Sequence, residues 1–262
     1  MLGLGIGSFV ETSDFTSKRG VAFSNTKSYD GDASRFNAVN TQYDPQTLLR
    51  SAHSWSMWLK PDDGRPSSAN IVFGLHNNSD SSELYYLAHN ADGTLMLAHY
   101  AGNGGIGAIA LASSGVIFAD DAQSDFTHIA IVADYSGSDV EYTFYADGSA
   151  VTTTYAANLK VTVANAGGYL SFGNTLGIDG RKSHGSDAFL GGYDGLVDEF
   201  AAFTKALSSS EVTAIRNGGT PTDLTGHDGL ELYYRFEDNL TDTAGTSDGA
   251  AIGSITFSST TP

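Results

Sequence analysis

The 262-residue chain contains no cysteine. A disulfide framework and a thiolate metal site are both excluded. Positive charge is scarce: 13 Lys and Arg stand against 30 Asp and Glu, a net charge of −17. No basic patch appears, so nucleic acid is not an expected partner. No apolar run approaches the roughly 20 residues of a membrane span, so membrane insertion is not expected. Leu2 follows Met1, which excludes N-myristoylation. The stretch MLGLGIGSFVETSDF has no basic n-region and no small-residue cleavage site, so no signal peptide is expected there. Proline is also rare, at 5 residues.

The chain is rich in turn formers and rings instead: 31 Gly, 13 Tyr and 14 Phe. That is the composition of an all-β sandwich rather than of a disordered chain. The length suits one large β domain or two small ones and buries a sizeable core without crosslinks. Most of the acidic residues read as a solvated surface.

Eight Asp-Gly dipeptides punctuate the sequence, at Asp30, Asp63, Asp92, Asp147, Asp179, Asp194, Asp228 and Asp248. Short β runs lie between them. Trp55 to Pro61 reads as a strand ended by proline. Ile71 to Leu75 is a short buried strand, and Glu83–Ala88 with Thr94–Tyr100 is a hairpin turned by Asp92-Gly93. Phe126 to Asp134 is apolar nearly throughout, which marks a central strand. Glu141–Ala146 turns through Asp147-Gly148 into Ala150–Tyr155. Tyr169 to Gly173 begins another strand, and Leu230 to Phe236 is the last. Residues 101–116 are Gly/Ala/Ser-rich and weakly patterned. Regular turns between short β runs predict an antiparallel sandwich.

One helix is expected, near 208–217. Ser208 and Glu211 have capping-box spacing, Leu207 and Val212 sit where a hydrophobic staple closes, and Asn217-Gly218 supplies a left-handed exit.

This helix follows Gly195-Leu196-Val197-Asp198-Glu199-Phe200. The combination resembles the closing element of the laminin-G-like, concanavalin A-like jelly roll, where a Gly-x-Ile-Asp-Glu strand precedes an Ala-Leu-Ser-x-x-Glu-Ile helix. Further matches follow in order over about residues 21–219. Ser28-Tyr29-Asp30-Gly31, Trp58-Leu59-Lys60-Pro61, Phe126-Thr127-His128-Ile129-Ala130-Ile131, Phe144-Tyr145-Ala146-Asp147-Gly148 and Phe172-Gly173 each look like a family segment. Phe126 replaces the usual Trp. Tyr233-Tyr234-Arg235-Phe236-Glu237-Asp238, often the family's opening strand, comes last here.

The resemblance implies an all-β, two-sheet antiparallel jelly-roll sandwich. Residues 1–20 read as an N-terminal arm, 21–219 as the jelly roll, and 220–262 as a segment completing the same sandwich. The resemblance also implies structural calcium, held in part by Asp30 and Asp198. It extends to virion-associated proteins of tailed bacteriophages, for which the missing leader is fitting.

The expected function is therefore non-enzymatic: a phage virion surface protein, in capsid decoration or in a fibre. Its partners would be other virion proteins or its own copies, through the arm with Leu2, Leu4, Ile6, Phe9 and Val10, and host-surface glycans. A free carbohydrate-binding lectin or adhesin, extracellular or on a cell surface, is the alternative. Glycan contacts are sought in polar loops: His76 to Asp80, Asn103, Arg181 to Asp187, and Tyr193.

A glycoside hydrolase is the remote alternative. It needs two carboxylates flanking the sugar bond. The Glu-x-Asp-x-x-Glu string of related glucanases is absent; Glu231 and Glu237 alone could share a face. Seven His show no His-x-x-x-His pairing, and His128 reads as a satisfied core group. No Gly-x-Ser-x-Gly elbow, P-loop or EF-hand loop occurs.

Overall fold

The computed structural model describes residues 20–23, 38–41, 46–76, 85–100, 109–166, 175–178, 181–182, 189–190, 192–252 and 256–262. In chain order the first strands are β1 (Gly20–Phe23) and β2 (Ala38–Thr41), then the one-turn helix α1 (Gln46–Leu49). Next come β3 (His53–Pro61), β4 (Asn70–His76), β5 (Tyr85–His89), β6 (Thr94–Tyr100) and β7 (Ile109–Val116). They are followed by β8 (Thr127–Asp134), β9 (Glu141–Ala146), β10 (Ser149–Val151) and β11 (Thr153–Tyr155). A second one-turn helix, α2 (Val163–Ala166), precedes β12 (Thr175–Ile178), β13 (Arg181–Lys182), β14 (Phe189–Leu190) and β15 (Gly195–Phe203). Helix α3 (Ser209–Arg216), β16 (Leu230–Tyr234), β17 (Gly249–Ile252) and β18 (Thr256–Ser258) complete the chain.

These strands make two eight-stranded antiparallel sheets, as the sequence predicts, and a small β13–β14 ribbon. The first sheet runs β10-β9-β8-β3-β15-β1-β18, with β16 also on β15. Because β3 occupies one whole edge of β15, β1 and β16 share the other, β1 beside Gly195–Val197 and β16 beside Phe200–Phe203. The second sheet runs β11-β7-β6-β5-β4-β12-β2-β17. Only Thr152 separates β10 from β11, so the chain crosses between sheets at that flank. At the opposite flank β17 and β18 do the same. Residues beyond 220 thus give strands to both sheets.

The turn chemistry follows the sequence. Asp147 (φ 47°) and Gly148 (φ 78°) both take positive φ, the pairing that matches hairpin twist. Gly195 is required for a different reason. Its φ is 144°, and a Cβ there would lie 2.4 Å from the Lys60 carbonyl oxygen.

Alternation sends odd-numbered residues of β3 inward: Trp55, Met57 and Leu59 join Ile129, Ile131, Phe144, Val197 and Phe200. They meet Phe73, Tyr85, Leu87, Leu95, Leu97, Leu176 and Ile178 of the second sheet. Trp55, Phe73 and Phe200 form the centre, with ring centroids 4.8–5.7 Å apart. Each such side chain contributes about 1.5–3 kcal/mol by burial.

The weakly patterned 101–116 stretch contains a full strand, β7. Its inward residues are small, Ala110, Ala112 and Ser114, so burial leaves little hydrophobic signal. Among the described residues no helix is long and apolar enough to cross a membrane.

Candidate functional site

The outer faces of the two sheets carry different chemistry. On the first sheet, Ala130, Val132, Ala201, Phe203 and Tyr233 pack against Leu207, Val212 and Ile215. Helix α3 brings the last two and is held as expected. The Ser208 hydroxyl accepts the Glu211 N–H, the Ser208 N–H donates to the Glu211 carboxylate at 2.8 Å, and Asn217 ends the helix left-handed. The Ser54 hydroxyl accepts the Leu207 N–H and donates to the Lys205 carbonyl, pinning the helix approach to β3.

Beside this cap lies a buried polar group. β15 bulges between Asp198 and Ala201, and Glu199 takes φ 49° there. The Tyr233 hydroxyl donates to the Glu199 carboxylate. Asp198 is fully buried, and its Oδ1 accepts the Glu199 N–H at 3.0 Å. Asp30, the other expected calcium ligand, lies outside the described residues. Calcium needs several hard oxygen ligands. Among the described residues no group of three or more His, Asp or Glu gathers to hold a metal, and Asp198 supplies one carboxylate.

Ser56 and His128 also meet on this face, Oγ to Nε2 at 2.9 Å. The distance suits a nucleophile and its base. Both are buried, however, and burial holds the imidazole neutral, its pKa down at about 3. His128 Nδ1 has no partner among the described residues, so no third group there completes a nucleophile–base–orienter set. Glu231 is exposed on β16 and Glu237 lies beyond the strand, 3.8 Å from Arg235.

The second sheet carries a shelf. Ile71, Tyr86, Ala88 and Ala98 form an apolar cluster on its outer face, with Met96, Tyr100 and Leu111 half-buried around it. Register sets the layout. Gly177 opposes Gly74, Gly74 opposes Tyr86, Tyr86 opposes Ala98 and Ala98 opposes Leu111. Tyr100 is the diagonal neighbour of Tyr86, roughly 7–8 Å away along the sheet. From Tyr86 to Leu111 the shelf spans two strand spacings, about 10 Å. Ile71, Tyr86, Ala88 and Ala98 are themselves buried, so Met96, Tyr100 and Leu111 are its half-buried rim. No described helix lies on it. The β13–β14 ribbon sits beside β4, and Gly192 bridges Ile71 at the same edge.

Of the loop residues expected to touch glycan, 77–80, Asn103 and 183–187 lie outside the described residues. His76 ends β4, and Arg181 and Lys182 form β13. Tyr193 is corrected: it is fully buried in the core beside His89, rings 6.1 Å apart, and not on a loop surface. Its neighbour Asp194 carries the polar signal that suggested a loop. Tyr86, Tyr100, Met96 and Leu111 were not singled out. The available signal was the run Tyr85-Tyr86-Leu87-Ala88, apolar on both faces where a solvated face should alternate.

A family model for the concanavalin A-like lectin/glucanases superfamily matches residues 32–213. Among solved structures the chain is similar to the native heptameric SAP-like pentraxin of Limulus polyphemus. Identity is 16%, the TM-score 0.56, and coverage 92% of this chain and 94% of that one. It is also similar to the IT-sialidase CBM40 of Ruminococcus gnavus, at 13% identity and TM-score 0.50, covering 76% of this chain and 96% of that one. A Bacteroides ovatus protein proposed to bind carbohydrate gives 14% identity and TM-score 0.56, covering 93% of this chain and 60% of that one. A search of curated protein sequences finds no match.

Proposed function

Because the chain belongs to the concanavalin A-like lectin/glucanases superfamily, we propose that it is a non-enzymatic glycan-binding protein whose binding face is the half-buried rim of Met96, Tyr100 and Leu111. The observation that carries this reading is the contrast between faces. One is closed by a capped helix, and the other keeps Met96, Tyr100 and Leu111 half-buried around a buried centre, with no described helix on it. Tyrosine rings present a flat apolar surface with a polar tip, which suits the faces and hydroxyls of a sugar. The CBM40 and Bacteroides neighbours are carbohydrate-binding by name, which agrees with it. Fold alone does not assign a ligand.

The setting we propose is the surface of a tailed-phage virion. The support is the ordered sequence resemblance and the net charge of −17, which would keep particles dispersed. The 1–20 arm is the proposed attachment to other virion proteins or to sister copies. Calcium held by Asp30 and Asp198 is proposed as a structural ion. A glycan-array screen with calcium and then with chelator tests the binding reading. Specific binding lost in Tyr100→Ala supports the shelf. No binding in either condition removes it. Failure of an arm-deleted chain to join particles would support the virion setting, and incorporation at wild-type level would overturn it.

A further inference from the structure

The interior of the sandwich holds a polar relay at one end. His53 and Trp55 come from β3, Tyr142 from β9, Tyr85 from β5 and His99 from β6, so both sheets contribute. All five are buried. His53 Nδ1 is 2.8 Å from the Ser51 carbonyl oxygen, and His53 Nε2 is 3.2 Å from the Tyr85 hydroxyl. The Trp55 indole N–H donates to that same hydroxyl at 2.9 Å. His99 Nδ1 is 2.6 Å from the Tyr142 hydroxyl. Burial pushes both phenols, Tyr85 and Tyr142, well above their ordinary range.

Geometry fixes the protons at the His53 end. A carbonyl only accepts, so His53 Nδ1 carries a proton and Nε2 is a bare lone pair. Tyr85 is the donor available to fill it, and its oxygen accepts from Trp55. At the other pair the Tyr142 hydroxyl and His99 Nδ1 share one hydrogen bond. His99 Nε2 has no partner among the described residues.

Both clusters cross between the sheets, His53 and Trp55 to Tyr85, and Tyr142 to His99. An added proton fits nowhere. On His99 Nε2 it becomes a buried cationic N–H with no acceptor. On His53 Nε2 it faces an oxygen that already accepts from Trp55 and strands the Tyr85 proton. The titratable groups acting on His53 and His99 are Tyr85, Tyr135, Tyr142 and each other, with no carboxylate among the described ones to compensate a charge.

We propose that this relay is an acid-released clasp: the two sheets stay closed at this end only while both imidazoles are neutral, and proton uptake opens it. Burial places the folded-state pKa of His53 at about 4 and that of His99 at about 3, against 6.5 for the free side chain. The unfolded chain therefore binds protons more readily. The stability these rings permit is complete above pH 6.5 and falls as pH drops towards 4. Each ring makes the unfolding equilibrium rise roughly tenfold per pH unit in that window.

The test is the unfolding equilibrium of the full chain by urea denaturation between pH 7 and 4.5, for wild type and for His53→Gln/His99→Gln. Glutamine keeps the polar size without titrating. The double variant should lose about two protons from the pH slope, a difference approaching 100-fold per pH unit well below pH 6.5. An unchanged slope would overturn the clasp. Should the variant fail to fold, the wild type decides the matter by proton NMR of its imidazoles. Resonances assigned to His53 and His99 that stay neutral down to pH 5 in the folded state support the clasp; His89 and His128 are buried too, so unassigned neutral rings do not count. Titration of either His53 or His99 near 6.5 with the fold intact refutes it.

Discussion

Helix α3 covers the outer face of one sheet, while no described helix covers the outer face of the other. Both faces are apolar, so the difference lies in what each is apolar for. Phe203, Tyr233 and Val132 find partners within the chain in Val212, Ile215 and Leu207. Tyr100, Met96 and Leu111 remain half-buried, with aromatic and thioether surface still open to solvent. A contiguous apolar patch left open on a folded protein marks an interaction surface more than an isolated exposed residue does. The lone strongly exposed large hydrophobe among the described residues, Val116, carries no such meaning. One face therefore serves stability, and the half-buried rim of the other is the one proposed to meet a ligand.

Substitutions can break this contrast. The largest expected effect is on the covered face. Phe203→Ala removes a fully buried ring and should lower unfolding free energy by about 3–5 kcal/mol, measured by urea denaturation, with glycan specificity unchanged in whatever fraction stays folded. On the other face, Tyr100→Ala should weaken glycan binding roughly 2- to 12-fold, the loss of one stacking contact of roughly 0.5–1.5 kcal/mol. Its melting temperature should stay close to wild type. If Tyr100→Ala destabilises as much as Phe203→Ala, both faces are structural and the contrast fails.

Smaller effects sharpen the role of the helix. Ser208→Ala removes the N-cap and should cost about 1 kcal/mol, read as a lower thermal midpoint without loss of binding. Glu211→Gln should cost less. The Lys205 ammonium and the Ser208 N–H hold the Glu211 carboxyl down at about 2, against 4.5 for the free group. The folded pKa is depressed, so this stabilisation is present above pH 4.5 and lost as pH falls towards 2. The group is partly exposed, so solvent screening keeps the effect to a fraction of a kcal/mol. Wild type and variant should converge in thermal midpoint at the acid end of that range.

The fold was legible where signals are local. Ser208, Glu211 and Asn217 specify a helix and both its ends within ten positions. Asp147-Gly148 specifies a hairpin by φ alone. Trp55 to Pro61 and Phe126 to Asp134 announce strands by apolar runs. β7 was not legible, because Ala110, Ala112 and Ser114 bury too little to make a pattern. The candidate site was less legible still. Whether Tyr86 or Tyr85 faces outward depends on which sheet β5 joins and in what register, and pairings with β4 and β6 decide that. Tyr193 illustrates the same limit, since an Asp-Gly follows it but its ring turns into the core. The His53–Tyr85 and His99–Tyr142 pairs join residues 32 and 43 positions apart through tertiary contact, so spacing carried no trace of them.

The most direct test of the central claim is a glycan-array comparison of wild type, Tyr100→Ala and Ser208→Ala at equal folded concentration. The account predicts that wild type and Ser208→Ala share one set of bound glycans and that Tyr100→Ala loses it. Equal binding by all three proteins would contradict the assignment of the half-buried Tyr100 rim as the binding site.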